Sequence, residues 1–213
     1  SVSRAHTDEH YVDKAMELIG YGADSITLAD PAGILTGARA RVLLAALKAA
    51  VHGRVPIEFI AHDCMGLAHA SHREALQAGV DTVATASAPL ANGESVPGTL
   101  DILELAQKLG VPAALDAGAL RRIDDYFGWI AWKEKRPVAE RVVFDPVRYE
   151  RFIGHQIPGG MMSNFRNQLK EVGLTHRMDE VLEEASRVRA ELGYPIMVTP
   201  FSQFVGVQAA FNV

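Results

Sequence analysis

Apolar residues recur at helical spacing over 7–20 (TDEHYVDKAMELIG), where Val12, Ala15, Met16 and Ile19 share one face. Thr7 precedes the run as an N-cap, Glu9 and His10 occupy the first turn, and Gly22 closes it. A short apolar run over 24–30 (DSITLAD) predicts a buried strand. The Ala/Leu-rich stretch 37–51 predicts a helix, 56–62 (PIEFIAH) a strand, 67–78 a helix, 81–86 (DTVATA) a strand and 98–110 a helix. This alternation predicts a parallel sheet with crossover helices. A faint internal repeat agrees with it: Gly22–Ala29 echoes Gly79–Ala86, each with an Asp opening a strand of small and β-branched residues. Repeated units of this kind suit a β/α barrel or a doubly wound sheet.

The pattern changes from about residue 112. A helix is predicted with Tyr126, Phe127, Trp129 and Trp132 as a packing face, followed by an irregular stretch punctuated by Pro137 and Pro146. Residues 163–173 and 177–192 read as helices, the second with Val181, Leu182, Ala185 and Val188 on one face. Pro195 ends that run. A boundary is placed near 112–117, dividing the chain into 1–112 and 113–213.

Composition narrows the classes. The 213 residues are 48% hydrophobic, which is ample for a packed core. Lys plus Arg number 21 against 26 Asp plus Glu, a net −5, which argues against a general nucleic-acid binder. The single cysteine, Cys64, excludes a disulfide scaffold and a cysteine zinc cluster, and it points to a reducing, cytoplasmic setting. No run of about 18 uncharged apolar residues predicts a membrane span, and the opening SVSRAHTDEH lacks the apolar centre of a signal peptide.

Chemistry in a parallel β/α fold belongs at the C-terminal strand ends, here Ala29–Gly33, Ala61–Gly66 and Ala86–Pro89. His62 and Asp63 are the leading candidates: His62 suits a metal ligand, an acid–base group or a hydrogen-bonded loop residue. Asp30 either contacts substrate or orients the following helix. His69 and His72 read as a solvated helix face rather than metal ligands, and Cys64 as a small buried residue rather than a nucleophile. In the second half, Gln156–Asn164 (QIPGGMMSN) is the most unusual stretch. Pro158, Gly159 and Gly160 predict a tight turn that presents Ser163 and Asn164 at a helix start. Free N–H groups there would suit a carboxylate or ureido ligand, and an ordinary cap explains the serine equally well.

Four stretches, 22–36, 61–99, 156–174 and 177–213, resemble the carboxyltransferase domain of pyruvate carboxylase and the oxaloacetate decarboxylase alpha subunit, within the metal-dependent lyase-type β/α barrels. The resemblance implies the C-terminal part of a (β/α)8 TIM barrel followed by a mainly helical funnel extension. It implies carboxyl transfer between carboxybiotin and pyruvate, or decarboxylation of oxaloacetate. The family's divalent metal is held by an aspartate, a carboxylated lysine and a His-x-His pair. His62 matches the second histidine, Ile60 stands at the first, Ala29 stands at the lysine, and the aspartate would lie before Ser1. One imidazole is too few for such a site, so the metal is expected to be absent.

Ser163 matches a Thr or Ser hydroxyl that the family uses to move a proton. The candidates are therefore Ser163, His62 and Asp63 for catalysis, and Asp30, Gln156, Gly159, Gly160 and Asn164 for substrate. No biotin-attachment sequence (Ala-Met-Lys-Met) occurs, so biotin is expected on another domain or chain. The expected activity is carboxyl transfer or decarboxylation on a small 2-oxo acid. The alternatives are a metal-independent lyase using His62 or Asp63, and a non-catalytic subunit of a carboxylase-like assembly. A full barrel takes about 250 residues. This chain corresponds to its last three strands and the funnel, with Ser1–Ser3 matching the end of the fifth strand. The missing half is expected from another chain or a longer polypeptide, in an oligomer.

Overall fold

Thr7 caps the first helix as its sequence predicts: Thr7 Oγ1 accepts the His10 N–H at 3.3 Å. The computed structural model describes residues 2–3, 5–138, 140–171, 173 and 175–213, with the side chains of Ser163 and Asn164 outside that description. Two compact units result, His6–Val143 and Phe144–Val213, with Val2, Ser3 and Ala5 belonging to the latter.

The first unit runs α1 (Asp8–Gly20), β1 (Ile26–Asp30), α2 (Gly37–Val51), β2 (Ile57–Ala61), α3 (Ala68–Gln77), β3 (Thr82–Val83), α4 (Thr99–Lys108) and α5 (Ala117–Lys133). The described strands form one parallel sheet in the order β1-β2-β3, with Ile26 opposite Ile57 and Asp30 opposite Ala61. Strand alternation decides the faces. Ile26, Leu28, Ile57, Phe59 and Ala61 join Leu43, Leu44 and Leu47 of α2 in the core. Each large side chain buried there contributes about 1.5–3 kcal/mol. Thr27, Ala29, Glu58 and Ile60 face the other way, and Thr27 Oγ1 donates to Glu58 Oε2 at 2.8 Å. Among the described residues, β1 and β3 are the edges of this sheet, so three strands form and no barrel closes.

Three expectations change here. The strand expected over 81–86 shortens to Thr82–Val83. Ala84 N still donates to Phe59 O, but the Ala84 carbonyl lies 3.0 Å from His72 Nε2, and Ala86 pairs instead with the segment at Gly98. His72 is not on a solvated face: it is fully buried, because α3 packs that side onto the sheet and α2. Its Nδ1 lies 2.7 Å from the Ala68 carbonyl and its ring meets Phe59 edge-on. Burial keeps its pKa below the usual histidine value. The aromatics of α5 are not a buried face either: Tyr126, Trp129 and Trp132 are exposed, and Ala131 is the buried residue of that helix.

The junction expected at 112–117 falls in the α4–α5 connection. Helix α5 belongs to the first unit, where Asp124 Oδ1 accepts the Ser87 hydroxyl at 2.6 Å and the Ala88 N–H at 2.9 Å.

The second unit contains α6 (Pro146–His155), α7 (Gly159–Glu171), α8 (Met178–Glu191) and α9 (Phe201–Asn212). Val181, Ala185 and Val188 of α8 turn inward as predicted, against Ile157, Phe165, Leu169, Val205 and Ala209. Helix α7 begins earlier than expected. The Pro158 carbonyl accepts the Met161 and Met162 N–H groups, so Gly159 and Gly160 form its first turn and Ser163 lies one turn in. The open helix start predicted at Ser163 is therefore occupied by the two glycines. No helix of the described residues is long and apolar enough to cross a membrane.

Candidate functional site

At the C-terminal ends of β1 and β2, backbone geometry brings Asp30, His62 and Asp63 together. Gly33 makes this possible. Its φ is +67°, and a Cβ there would lie 2.6 Å from the His62 carbonyl oxygen and 2.9 Å from Cys64 N. Only glycine lets the loop after β1 rest on the loop after β2. Across that contact His62 N donates to Asp30 O at 3.1 Å.

Asp30 is buried, and its Oδ2 accepts the Leu35 N–H at 2.7 Å. Burial raises its pKa, against the lowering effects of the Leu35 and Ile34 N–H groups and of His62. Much of its hydrogen-bonding capacity is thus spent on shaping its own loop. Asp63 is 1% exposed, and its Oδ1 accepts the Ala68 N–H at 3.2 Å at the start of α3. Its own N–H donates to Ser95 O at 2.8 Å.

Three buried atoms are left over at this end of the sheet: among the described residues, His62 Nδ1, Asp63 Oδ2 and His69 Nε2 have no hydrogen-bond partner. A buried polar atom without a partner costs about 1–3 kcal/mol, so such atoms mark where a ligand or solvent is met. His69 stands nearby, with Nδ1 3.9 Å from Asp63 Oδ1 and Nε2 3.6 Å from Asp101 Oδ2, both beyond hydrogen-bond reach. Cys64 is buried, as its size suggests.

The second unit holds the other candidates. Gln156 ends α6 in the left-handed region (φ +53°), and its Nε2 donates to Ile153 O at 3.0 Å, so its amide serves as a local brace. Gly159 is buried, while Gly160 is exposed, with no atom within 4 Å of where a Cβ would sit. Ser163 and Asn164 lie in α7, and their side chains fall outside the described residues. Sequence reasoning passed over His155, which is buried with Nδ1 accepting the Ile157 N–H at 3.0 Å. Its signal was position alone, directly before the unusual Gln156–Asn164 stretch.

A family model described as HMGL-like matches residues 3–126, more than half of the chain. The chain belongs to the HMGL-like family. A second model, described as a conserved carboxylase domain, matches residues 153–213 of this HMGL-like chain. A pyruvate carboxylase subunit of Methanocaldococcus jannaschii is 38% identical over 216 residues, covering 100% of this chain and 37% of that protein. The methylmalonyl-CoA carboxyltransferase 5S subunit of Propionibacterium freudenreichii subsp. shermanii is 37% identical, covering 100% and 41%. The carboxyl transferase domain of Rhizobium etli pyruvate carboxylase, solved with pyruvate and biocytin, superposes with a TM-score of 0.83 at 31% identity, covering 95% of this chain and 33% of that one. The HMGL-like chain thus spans about two-fifths of those relatives or less.

The divalent metal implied by the resemblance does not fit the donors this HMGL-like chain offers. Ala29 and Ile60 are direct register partners across β1 and β2, and both are hydrocarbon. Of these three positions only His62 offers a ring nitrogen, and no group of three His, Cys, Asp or Glu suited to a metal ion exists among the described residues.

Proposed function

We propose that the chain forms part of a carboxyltransferase- or decarboxylase-like enzyme acting on a small 2-oxo acid of the pyruvate or oxaloacetate type. The observation that supports this most is the pair of unpartnered buried atoms, His62 Nδ1 and Asp63 Oδ2, on adjacent residues after β2. That is the end of the strands where β/α folds collect their chemistry.

In this reading the 2-oxo acid lies over the Ala29–Ile60 pair. In the decarboxylation direction the bond to the departing carboxyl carbon breaks, CO2 leaves, and the electron pair remains as an enolate. His62 donates a proton to the developing enolate oxygen, and Asp63 is the second catalytic candidate at the same strand end. Asp30 acts through the loop it shapes. Gln156, Gly159, Gly160 and Asn164 remain the candidates for contact with the carboxyl carrier, and Ser163 for moving a proton. Carboxybiotin, presented by another domain or chain, supplies the carboxyl group when bound. Further strands, from another chain or the same polypeptide, complete the barrel at the edges of β1 and β3, in a cytoplasmic oligomer.

Ala29 and Ile60 make that chemistry metal-independent within this chain, and they equally favour a second reading, a non-catalytic homologue serving as a subunit of a larger carboxylase-like assembly. An oxaloacetate decarboxylation assay on the assembled protein, with and without a chelator, separates these readings. Chelator-insensitive turnover supports chemistry at His62 and Asp63. Chelator-sensitive turnover supports a metal held by ligands from outside this chain. No turnover supports the non-catalytic subunit.

A further inference from the structure

The helical unit contains a cavity of about 370 Å³ lined by residues of α6, α7 and α8. That volume lies in the range of small-molecule sites. Phe152, Met162, Met178 and Leu182 give it an apolar lining. Three guanidiniums share it, those of Arg148 and Arg151 on α6 and Arg166 on α7. None of the three is paired with a carboxylate among the described residues. The two carboxylates at the cavity are Asp145 and Asp179. Asp145 is already occupied, its Oδ1 accepting the Val147 and Arg148 N–H groups at the start of α6. Three positive groups therefore face two negative ones, with one of the negative groups engaged.

An independent observation points the same way. His155, 4% exposed, also lines this cavity. Its Nδ1 accepts the Ile157 N–H, which places the ring proton on Nε2. Burial, helped by the Arg189 charge, lowers its pKa to about 4, so near neutral pH it is an uncharged donor. No acceptor for Nε2 is present among the described residues. A donor on a buried ring without an acceptor, beneath unpaired guanidiniums and beside an apolar wall, matches a ligand with an anionic head and an apolar body.

We propose that this cavity binds an organic phosphate, with the phosphate held by Arg148, Arg151, Arg166 and His155 Nε2 and the organic portion against Phe152, Met162, Met178 and Leu182. A phosphate is favoured over a carboxylate by the number of donors. One guanidinium fork saturates a planar carboxylate, whereas three forks and a ring N–H suit the oxygens of a tetrahedral dianion. The inference does not rest on the reaction proposed above.

The test is calorimetric titration of the full chain with phenyl phosphate, inorganic phosphate and benzoate. Phenyl phosphate is expected to bind about tenfold or more tightly than either of the others, since each supplies only part of the complementarity. The double variant R151Q/R166Q alters two exposed side chains, so its melting temperature should stay unchanged while phenyl phosphate affinity falls at least about tenfold. In a nitrogen-15 NMR titration the His155 Nε2 signal should shift with phenyl phosphate at the same midpoint. The proposal is overturned if phenyl phosphate gives no heat and no shift, if R151Q/R166Q binds it unchanged, or if benzoate binds equally well.

Discussion

Ala29 and Ile60 stand directly opposite one another across β1 and β2, so two strand-end positions present hydrocarbon side by side on the face that carries Thr27 and Glu58. His62 follows two residues after Ile60 and keeps its free Nδ1. A lone imidazole beside aliphatic neighbours is a weak metal donor. Purified protein dialysed against Mn²⁺ or Zn²⁺ is expected to retain well under one equivalent at this position. His62→Ala should leave its metal content unchanged. Stoichiometric metal lost on His62→Ala would refute this.

If His62 carries a proton at the reacting centre, His62→Ala should lower oxaloacetate decarboxylation by about 10²–10⁴-fold, the usual contribution of a positioned acid or base. His62→Gln keeps a polar group but cannot cycle a proton, so it should be impaired nearly as much. Ser163→Ala offers a separate check on the proton-relay role. Unchanged turnover in an active preparation would remove Ser163 from the mechanism.

Gly33 carries the contact between the two strand-end loops. Gly33→Ala combines a φ of +67° with a Cβ 2.6 Å from the His62 carbonyl, and both partners in that clash are backbone. The left-handed strain alone costs about 1–2 kcal/mol, and relieving the clash adds to it. Chemical denaturation should show a loss of at least about 2 kcal/mol. A loss under about 0.5 kcal/mol, the range of an unremarkable surface change, would mean that the two loops do not meet this closely.

His155 gives stability a defined pH dependence. Its folded pKa of about 4 lies below the ordinary histidine value of 6.5, so the unfolded chain takes up its proton first as pH falls. The contribution is complete above about pH 6.5 and is lost as pH falls through about 4. The shift corresponds to roughly 3 kcal/mol. His72, also depressed by burial, acts in the same direction. Comparing the unfolding free energy of wild type and His155→Gln between pH 7 and pH 4 isolates the first group. Parallel curves would show that His155 takes up its proton at the same pH in the folded and unfolded chain.

Much of the architecture is legible in local sequence because its causes are local. Thr7 caps the first helix with its own hydroxyl, and the helix predicted over 37–51 is observed at Gly37–Val51. The strand runs at 24–30 and 56–62 hold β1 and β2, and their alternation decides which side chains face the core. The motifs around Asp30, His62 and Gln156 likewise place the chain in its family, since short segments of chain carry them.

What local sequence does not decide is where each element meets another. His72 carries no signal that separates it from His69, and its burial follows from which side of α3 lands on the sheet. The strand after Asp81 ends early because the Ala84 carbonyl lies against that same histidine, twelve residues away. The glycines at 159 and 160 read as a turn, yet the Pro158 carbonyl draws them into the first turn of α7. Sequence alone determined the alternating elements, the capped helices and the family, and it puts Ala29 and Ile60 where the resemblance implies metal ligands. Tertiary structure alone decided that Asp30 and Asp63 spend oxygens on neighbouring backbone while His62 Nδ1 and Asp63 Oδ2 stay free, because hydrogen-bond partners and burial are settled by residues that meet only when the chain folds.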